Sequence, residues 1–352
     1  MPNFNKIKDK KILVLSVAMN GWTEDEKIST NLSYDLLKKQ IPEKNFALQI
    51  EEFSKSFQLE NFLKSHNPEN YVVFNWCEEL DGIDNNFYVA AKLLDKYNYI
   101  YTGNGPESLE FSMDKVKVKK LLTERGISTP KYLILDKLKD VYKWHIFPCI
   151  VKPAYEHCSY GVTKESVVDT PNALAIRAQQ LFEKFHQSLI VEEFINGTEY
   201  FISLWGYEKP EVLPFMSLNY DFTNDYHEKI FSFGAKWDRN SKEFKKTEYI
   251  EPGDMDPSLL RRIKKEVVEC YEEAKCEGYA RMDLRVRNNI PYILDVNANP
   301  DMTVESDFVI AAEKKGFNYG ETILKLCEMA YINAQIPASL QESETKTEPQ
   351  LN

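Results

Sequence analysis

Short, almost wholly apolar runs alternate along the first hundred residues with stretches in which apolar positions recur every three or four residues. Runs of the first kind, Lys11 to Val17, Asn45 to Glu51 and Tyr71 to Asn75, predict buried strands. The stretches between and after them, Ser29 to Gln40, Leu59 to Ser65 and Asp84 to Tyr97, predict helices. That alternation implies an α/β unit on a mostly parallel sheet, with ligand loops at the carboxyl ends of its strands. "NGWTEDEKIS" and "NWCEELDG" occupy those places and are candidate substrate loops.

Further on, Ser112 is placed to cap a helix through Val116, Val118, Leu121 and Leu122 that stops at Gly126. Strands follow around Tyr132 to Leu135 and Cys149 to Lys152, then a helix from Pro171 to His186 and a strand from Ser188 to Phe194. The segment between Lys152 and Glu192 has the length of a crossover helix unit. A strand-rich region and a helix from Pro257 to Cys276 lead to a hairpin: Tyr279 to Val286, a turn at Asn288 and Asn289, and Tyr292 to Asn297.

Strand alternation puts Asp295 and Asn297 on one face, with Ile293, Leu294 and Val296 filling the surroundings, and likewise pairs Arg281 with Asp283. If the register aligns these faces, Asp283, Asp295 and Asn297 form an oxygen-rich cluster with Arg281 at its edge. Such oxygens suit a hard cation such as Mg²⁺, which keeps some water and takes further ligands from phosphates. A solvated sheet face is the other reading of the same pattern.

Composition narrows the choice of class. The chain has 352 residues, 43% hydrophobic and 28% charged, as in a soluble globular protein of several domains. A net charge of -11 argues against a general nucleic-acid binder. Six cysteines without a C-x-x-C pair fit a reducing cytoplasm. The apolar run at Lys11 to Met19 is too short for a signal peptide, and no run reaches transmembrane length, so no membrane partner is expected. The sequon at Asn196 is incidental on this reading, and "QESETKTEPQLN" lacks core-forming residues, as a mobile tail does.

Several charged residues sit where a ligand would explain them. Lys115 lies in the first turn of its helix, where a cation opposes the macrodipole, and Lys152 ends the strand "CIVKP". "EHCSYG" is a turn able to close over phosphates, and Glu192, Glu193 and Glu199 flank an apolar strand end. Taken singly, each is also explained as a solvated or snorkelling side chain.

The ordered set "TEDEKIS", "VFNWCE", "YTGNG" leading to "SMDK", "IVKP", "VEEFINGTEY", "AKW", "ARMD" and "DVNANPDMT" followed by Ser306 resembles the ATP-grasp superfamily, and within it the D-alanine:D-alanine ligase group. The resemblance implies a Rossmann-like substrate domain over 1–104, a central subdomain over 105–188 and a C-terminal subdomain over 189–336, the last two clamping ATP, with the tail at 337–352. It also implies an ATP-dependent carboxylate–amine ligase working through an acylphosphate on an amino acid or related small metabolite. Asp283, Asp295 and Asn297 become ligands of two Mg²⁺ ions, Mn²⁺ being an alternative. Lys115, Lys152 and Lys236 become phosphate contacts, aided by Ser159 in the loop. The backbone from Glu192 through Glu193 to Ile195 reads adenine, Glu199 takes the ribose hydroxyls, and Arg281 faces the oxyanion. Related enzymes are often homodimers.

This chain departs from the family pattern at His157 for glycine, Cys158 for serine, Trp237 for tyrosine, Asp25 for glutamate and Asp295 for glutamate. Asp301 replaces a glycine and puts negative charge where a backbone N–H would help the oxyanion. Asp25, Cys158, Trp237, His157, Asp301 and Ser306 line the substrate side, so the departures bear on substrate choice more than on ATP chemistry. A true D-alanine:D-alanine ligase and a nucleotide-binding protein without catalysis are the alternatives.

Overall fold

The computed structural model describes residues 2–20, 22–83, 86–157 and 159–336, without the side chains of Trp237 and Lys242. Three sheets carry it. The first is built from β1 (Lys11–Val17), α1 (Glu24–Glu43), β2 (Leu48–Phe53), α2 (Ser56–Ser65), β3 (Tyr71–Trp76) and α3 (Tyr88–Lys96). Its order is β2-β1-β3, all parallel. β1 and β3 are buried along their length because helices cover both faces.

α1 begins five residues before the apolar periodicity does. Thr23 and Glu26 form a capping box: the Thr23 hydroxyl accepts from Glu26 N at 3.3 Å, and Thr23 N donates to Glu26 Oε2 at 2.7 Å. "TEDEKIS" is therefore helix and not loop. A second correction concerns α4 (Pro106–Ser112) and α5 (Lys115–Glu124), where Ser112 ends the first helix and Asp114 caps the second. Asp114 Oδ1 accepts from Val116 N and Lys117 N, both at 3.0 Å, and its charge favours the positive end of the dipole.

The second sheet contains β4 (Tyr132–Leu135), β5 (Cys149–Pro153), β6 (Val167–Val168) and, after α6 (Pro171–Phe185), β7 (Leu189–Glu193), in the order β4-β7-β5-β6. β5 and β7 are antiparallel, so the helix between them is no parallel crossover. The third sheet collects β8 (Thr198–Gly206), β9 (Glu211–Val212), β10 (Met216–Leu218), β11 (Tyr249–Ile250), β12 (Gly278–Arg287) and β13 (Ile290–Ala298), ordered β11-β10-β8-β12-β13 with β9 on β8. The remaining helices are α7 (Phe233–Trp237), α8 (Lys242–Lys246), α9 (Pro257–Glu273), α10 (Asp307–Lys314) and α11 (Tyr319–Ala334). One core joins the first sheet to α1, α11 and one face of the third. A second buries the other face of the third sheet under α5 and α9.

Two glycines let the segment between α3 and α4 approach the hairpin. Gly103 has φ +86°, and a Cβ there would stand 2.3 Å from Asn299 Oδ1. Gly278, at φ +68°, would place a Cβ 2.9 Å from Gly103 N. Asn104 exploits the close approach, donating from N and Nδ2 to Asn299 Oδ1 at 2.9 and 3.1 Å. The loop that follows β13 is thereby tied to the first sheet.

Candidate active site

β12 and β13 pair with Arg281 opposite Asn297 and Asp283 opposite Asp295, the register that brings the two polar faces together. A bulge then follows: Leu284 opposes Ile293, and Leu294 has no partner. The extra residue turns Leu294 into the cleft beside Asp295, where alternation alone would place it opposite.

Lysines from two other elements reach this hairpin. Lys115 Nζ, from the first turn of α5, lies 3.3 Å from Asp295 Oδ1. Lys152 Nζ, near the end of β5, donates to Asp295 Oδ2 at 3.2 Å and lies 3.2 Å from Glu192 Oε1. On the far side of Glu192, Lys119 Nζ is 3.3 Å from Oε2. Charges taken out of water cost several kcal/mol each unless paired and hydrogen-bonded, which accounts for this alternation of sign. Burial alone would raise the Asp295 carboxyl, but Lys115, Lys152 and Lys119 outweigh it and hold it far below the carboxylate range. Burial works against the Lys152 ammonium, yet Asp295 and Glu192 raise it.

Arg281 donates from Nε and Nη2 to Asp283 at 2.6 and 3.0 Å, and from Nη1 to Asp307 at 2.8 Å. These carboxylates fix the guanidinium where the cleft of Lys115, Lys152 and Asp295 meets an adjoining pocket, whose wall Arg281 lines. Asn297 donates from Nδ2 to Arg281 O at 3.4 Å, which leaves its carbonyl oxygen for the cleft. The oxygens of Asp283, Asp295 and Asn297 suit Mg²⁺: two carboxylates and an amide on one face, each carboxylate already beside cations. No group of three or more His, Cys, Asp or Glu among the described residues forms a metal cage.

Along the cleft, arginines that sequence reasoning missed hold the expected acids. Glu199 Oε2 accepts from Arg285 at 2.7 Å and from Tyr220 at 3.2 Å, Ile195 O accepts from Arg285 at 3.2 Å, and Glu193 Oε1 accepts from Arg287 at 2.6 Å. Strand alternation from Arg281 and Asp283 points to Arg285 and Arg287 and was the usable signal. Ser159 donates to Phe231 O at 2.8 Å, and Lys236 lies 4.7 Å over the Phe231 ring, lining cleft and pocket alike.

The adjoining pocket draws on three regions of the chain. Asp25 Oδ2 accepts from Arg239 N at 3.1 Å, Arg239 pairs with Glu305, and Glu305 accepts from Ser29 at 2.9 Å. His157 sits between the two cavities with Nε2 3.1 Å from Met113 O; burial first, and Lys115 second, push its pKa down to about 3, so the ring is neutral. Ser306 caps α10, its Oγ accepting from Val309 N at 3.4 Å. Asp301 is engaged locally, accepting from Thr303 N at 2.8 Å and Thr303 Oγ1 at 2.9 Å. Burial nonetheless outweighs these bonds and the nearby Arg281 and Lys236 and raises the Asp301 carboxyl above its ordinary value. Glu78, from the candidate substrate loop "NWCEELDG", also lines this pocket, though it was not singled out there; burial and Asp301 push its carboxyl up to about 8. Cys158, the stretch 337–352 and the side chain of Trp237 lie outside the described residues.

Residues 119–328 match the family described as D-ala D-ala ligase C-terminus. A D-alanine–D-alanine ligase from Cupriavidus necator is 30% identical over 251 residues, 68% of this chain and 71% of that one. The D-alanine–D-alanine ligase of Bacillus anthracis superposes with a TM-score of 0.71 at 22% identity, covering 92% of this chain and 98% of the other. Its complex with ATP gives a TM-score of 0.69 at 21% identity over the same shares. No helix among the described residues is long and apolar enough to cross a membrane. The chain belongs to the D-alanine–D-alanine ligase family and has the ATP-grasp fold of an ATP-dependent ligase that joins a carboxylate to an amine.

Proposed function

We propose that the enzyme activates a small carboxylate as an acylphosphate between the second and third sheets and then lets an amine displace phosphate. The observation that carries this reading is the meeting of Lys115 and Lys152 on Asp295, at 3.3 and 3.2 Å, from three separate elements. Lys115, Lys152 and Lys236 would bind the phosphates. Glu192, Glu193 and Ile195 would receive the adenine and Glu199 the ribose. Asp283, Asp295 and Asn297 would hold Mg²⁺, which when bound neutralises charge on the transferred phosphoryl group. Arg281, held by two carboxylates, would face the oxyanion.

The substrate side supports an amino acid or related metabolite other than D-alanine alone. Asp25, His157 and Asp301 stand at positions where the family pattern has other residues, and Cys158 and Trp237 depart from it as well. A site built to hydrogen-bond one substrate rejects analogues that leave its groups unpaired. The named relatives favour a second reading, a D-alanine:D-alanine ligase in the strict sense. Measuring ADP release under saturating Mg-ATP across paired carboxylates and amines separates the two. D-alanine as the best substrate, with the dipeptide as product, overturns the first reading.

Five described cysteines are free and buried, which supports a reducing cytoplasm. A homodimer is the expected assembly, to be checked by light scattering.

A further inference from the structure

His157 stands where the cleft of Lys115, Lys152 and Asp295 meets the pocket of Asp25, Arg281 and Asp301, and it lines both. Its Nε2 lies 3.1 Å from the backbone oxygen of Met113, the residue that ends α4 just before Lys115. A carbonyl oxygen can only accept, so in a neutral ring this contact puts the proton on Nε2 and the lone pair on Nδ1. Burial, and after it the charge of Lys115, keeps the ring neutral by pushing its pKa down to about 3; Met113 O and Asp295 work the other way and do not prevail. No group among the described residues bonds to Nδ1, and it is not one of the buried side-chain atoms sealed off without a partner, so it opens on the cavities that the ring lines.

In the proposed reaction the phosphoryl group in transfer, the acyl group and the amine all come to this boundary. The first two present oxygens that accept, and Lys115, Lys152 and Arg281 suit them. An unprotonated ring nitrogen repels such oxygens, lone pair against lone pair. The amine instead brings N–H donors. A carboxylate such as Asp25 or Asp301 would favour the amine as its ammonium ion, whose lone pair is tied up in an N–H bond. A neutral acceptor holds an N–H without favouring the cation.

We propose that His157 Nδ1 accepts from an N–H of the attacking amine and so turns the lone pair of that nitrogen towards the acyl carbon. The glycine of the family pattern has no side chain to make this contact. In the step itself the lone pair forms the C–N bond, the C–O bond to phosphate breaks with its electron pair on the phosphate, and the nitrogen passes one proton to the departing phosphate. His157 orients the amine and is not the base, because a ring that binds a proton so weakly does not keep one. The proposal rests on the acylphosphate reading above and assigns the group that recognises its second substrate.

The test is ADP release by the full-length protein under saturating Mg-ATP, with the standard amino acids of both configurations as carboxylates and with hydroxylamine or the same amino acids as amines. His157→Gln keeps an amide N–H for Met113 O and places no acceptor at Nδ1. It should lower kcat/KM for the amine by about threefold to tenfold, the worth of one hydrogen bond, with KM for ATP and for the carboxylate unchanged. His157→Asn, whose carbonyl falls where Nδ1 stands, should recover most of that loss. The pH profiles of wild type and His157→Gln should run parallel. In the nitrogen NMR spectrum of protein labelled at histidine, the signals lost in His157→Gln should report the Nε2–H tautomer at neutral pH. A merely structural histidine would move the KM of ATP and the melting temperature along with that of the amine. That pattern overturns the inference, as do the Nδ1–H tautomer or an imidazolium at neutral pH, an unchanged amine kcat/KM in folded His157→Gln, or an acid limb in the profile of wild type alone. Each of these leaves the ligase reading standing. Absence of ADP release from the unsubstituted protein with every pair overturns the ligase reading, and this inference with it.

Discussion

The cleft of Lys152, Glu192 and Asp295 and the pocket beside it share Lys236, Phe231, His157 and Asn297 but are built by different means. Most groups of the cleft project from strands: Lys152 from β5, Glu192 from β7, Asp283 and Asp295 from β12 and β13. A ladder fixes each of these side chains to a face and a height. The pocket is closed mainly by loops and helix ends, with Asp25, Arg239, Glu305 and Asp301 drawn from three distant regions. Loop-borne groups are free to vary while the ladder stays the same. One fold can then retain its phosphate chemistry and change its substrate.

If the two regions are separable in this way, substitutions in one should leave the other's readout untouched. The largest effect is expected at Asp295→Asn. The amide still offers an oxygen towards Lys115 and Lys152, so the fold should persist, but the charge is lost. Turnover should fall by about a thousandfold, the scale of removing a charge-stabilising group from a preorganised site. Wild-type ADP release from a folded Asp295→Asn protein would remove Asp295 from the site. Next comes Lys152→Ala, which should weaken binding of a non-hydrolysable ATP analogue by about tenfold or more, because in the proposed site it removes a point charge from the phosphates. Acceptor KM should not change. Unaltered nucleotide affinity would make Lys152 a structural partner of Glu192 alone.

The same contrast explains what the sequence disclosed. Period-two alternation was enough to place Asp295 with Asn297 and Arg281 with Asp283, and the observed register joins the two pairs. It was not enough for Leu294, because a bulge adds one residue and breaks the alternation that it relies on. Lys119 was within reach: it follows Lys115 by four residues on α5 and so lies on the same helix face, in a segment otherwise rich in valine and leucine. The Arg239, Glu305 and Ser29 contact was not within reach. Its members are separated by 66 and 276 residues, and no local pattern encodes such a meeting. The capping box at Thr23 and Glu26 was written plainly in the chain, and the early start of α1 follows from it.

A smaller effect probes the pocket from the other side. Arg239→Ala removes the pairing with Glu305 that links the segment at 232–247 to the loop before α10. Exposed ion pairs contribute about 0–1 kcal/mol, so stability should hardly move. Substrate KM should rise about threefold to tenfold through poorer positioning, with ATP KM unchanged. Equal rises in both constants would show that pocket and cleft close as one unit.

The smallest effect distinguishes the regions by the sign of their pH dependence. Glu78, in the pocket, is pushed by burial and by Asp301 from 4.5 up to about 8. The folded protein then binds a proton at Glu78 more tightly than the unfolded chain does. Stability from this group is fully present below the ordinary carboxylate pKa and is lost as pH rises towards 8. Asp295, in the cleft, is held far below its ordinary value by lysines that outweigh its burial, so its contribution is present at neutral pH and is lost on acidification. The pocket should therefore weaken the fold on the alkaline side and the cleft on the acid side. Glu78→Gln removes the first slope only. Because Glu78 borders an open pocket, the change between pH 5 and 8 should be discounted to the order of 1 kcal/mol. Urea midpoints of the wild type and Glu78→Gln at pH 5, 6.5 and 8 measure it. Wild-type stability should decline relative to the variant as pH rises, and parallel curves would mean that Glu78 is ionised in the folded protein and that the pocket carries a full negative charge there.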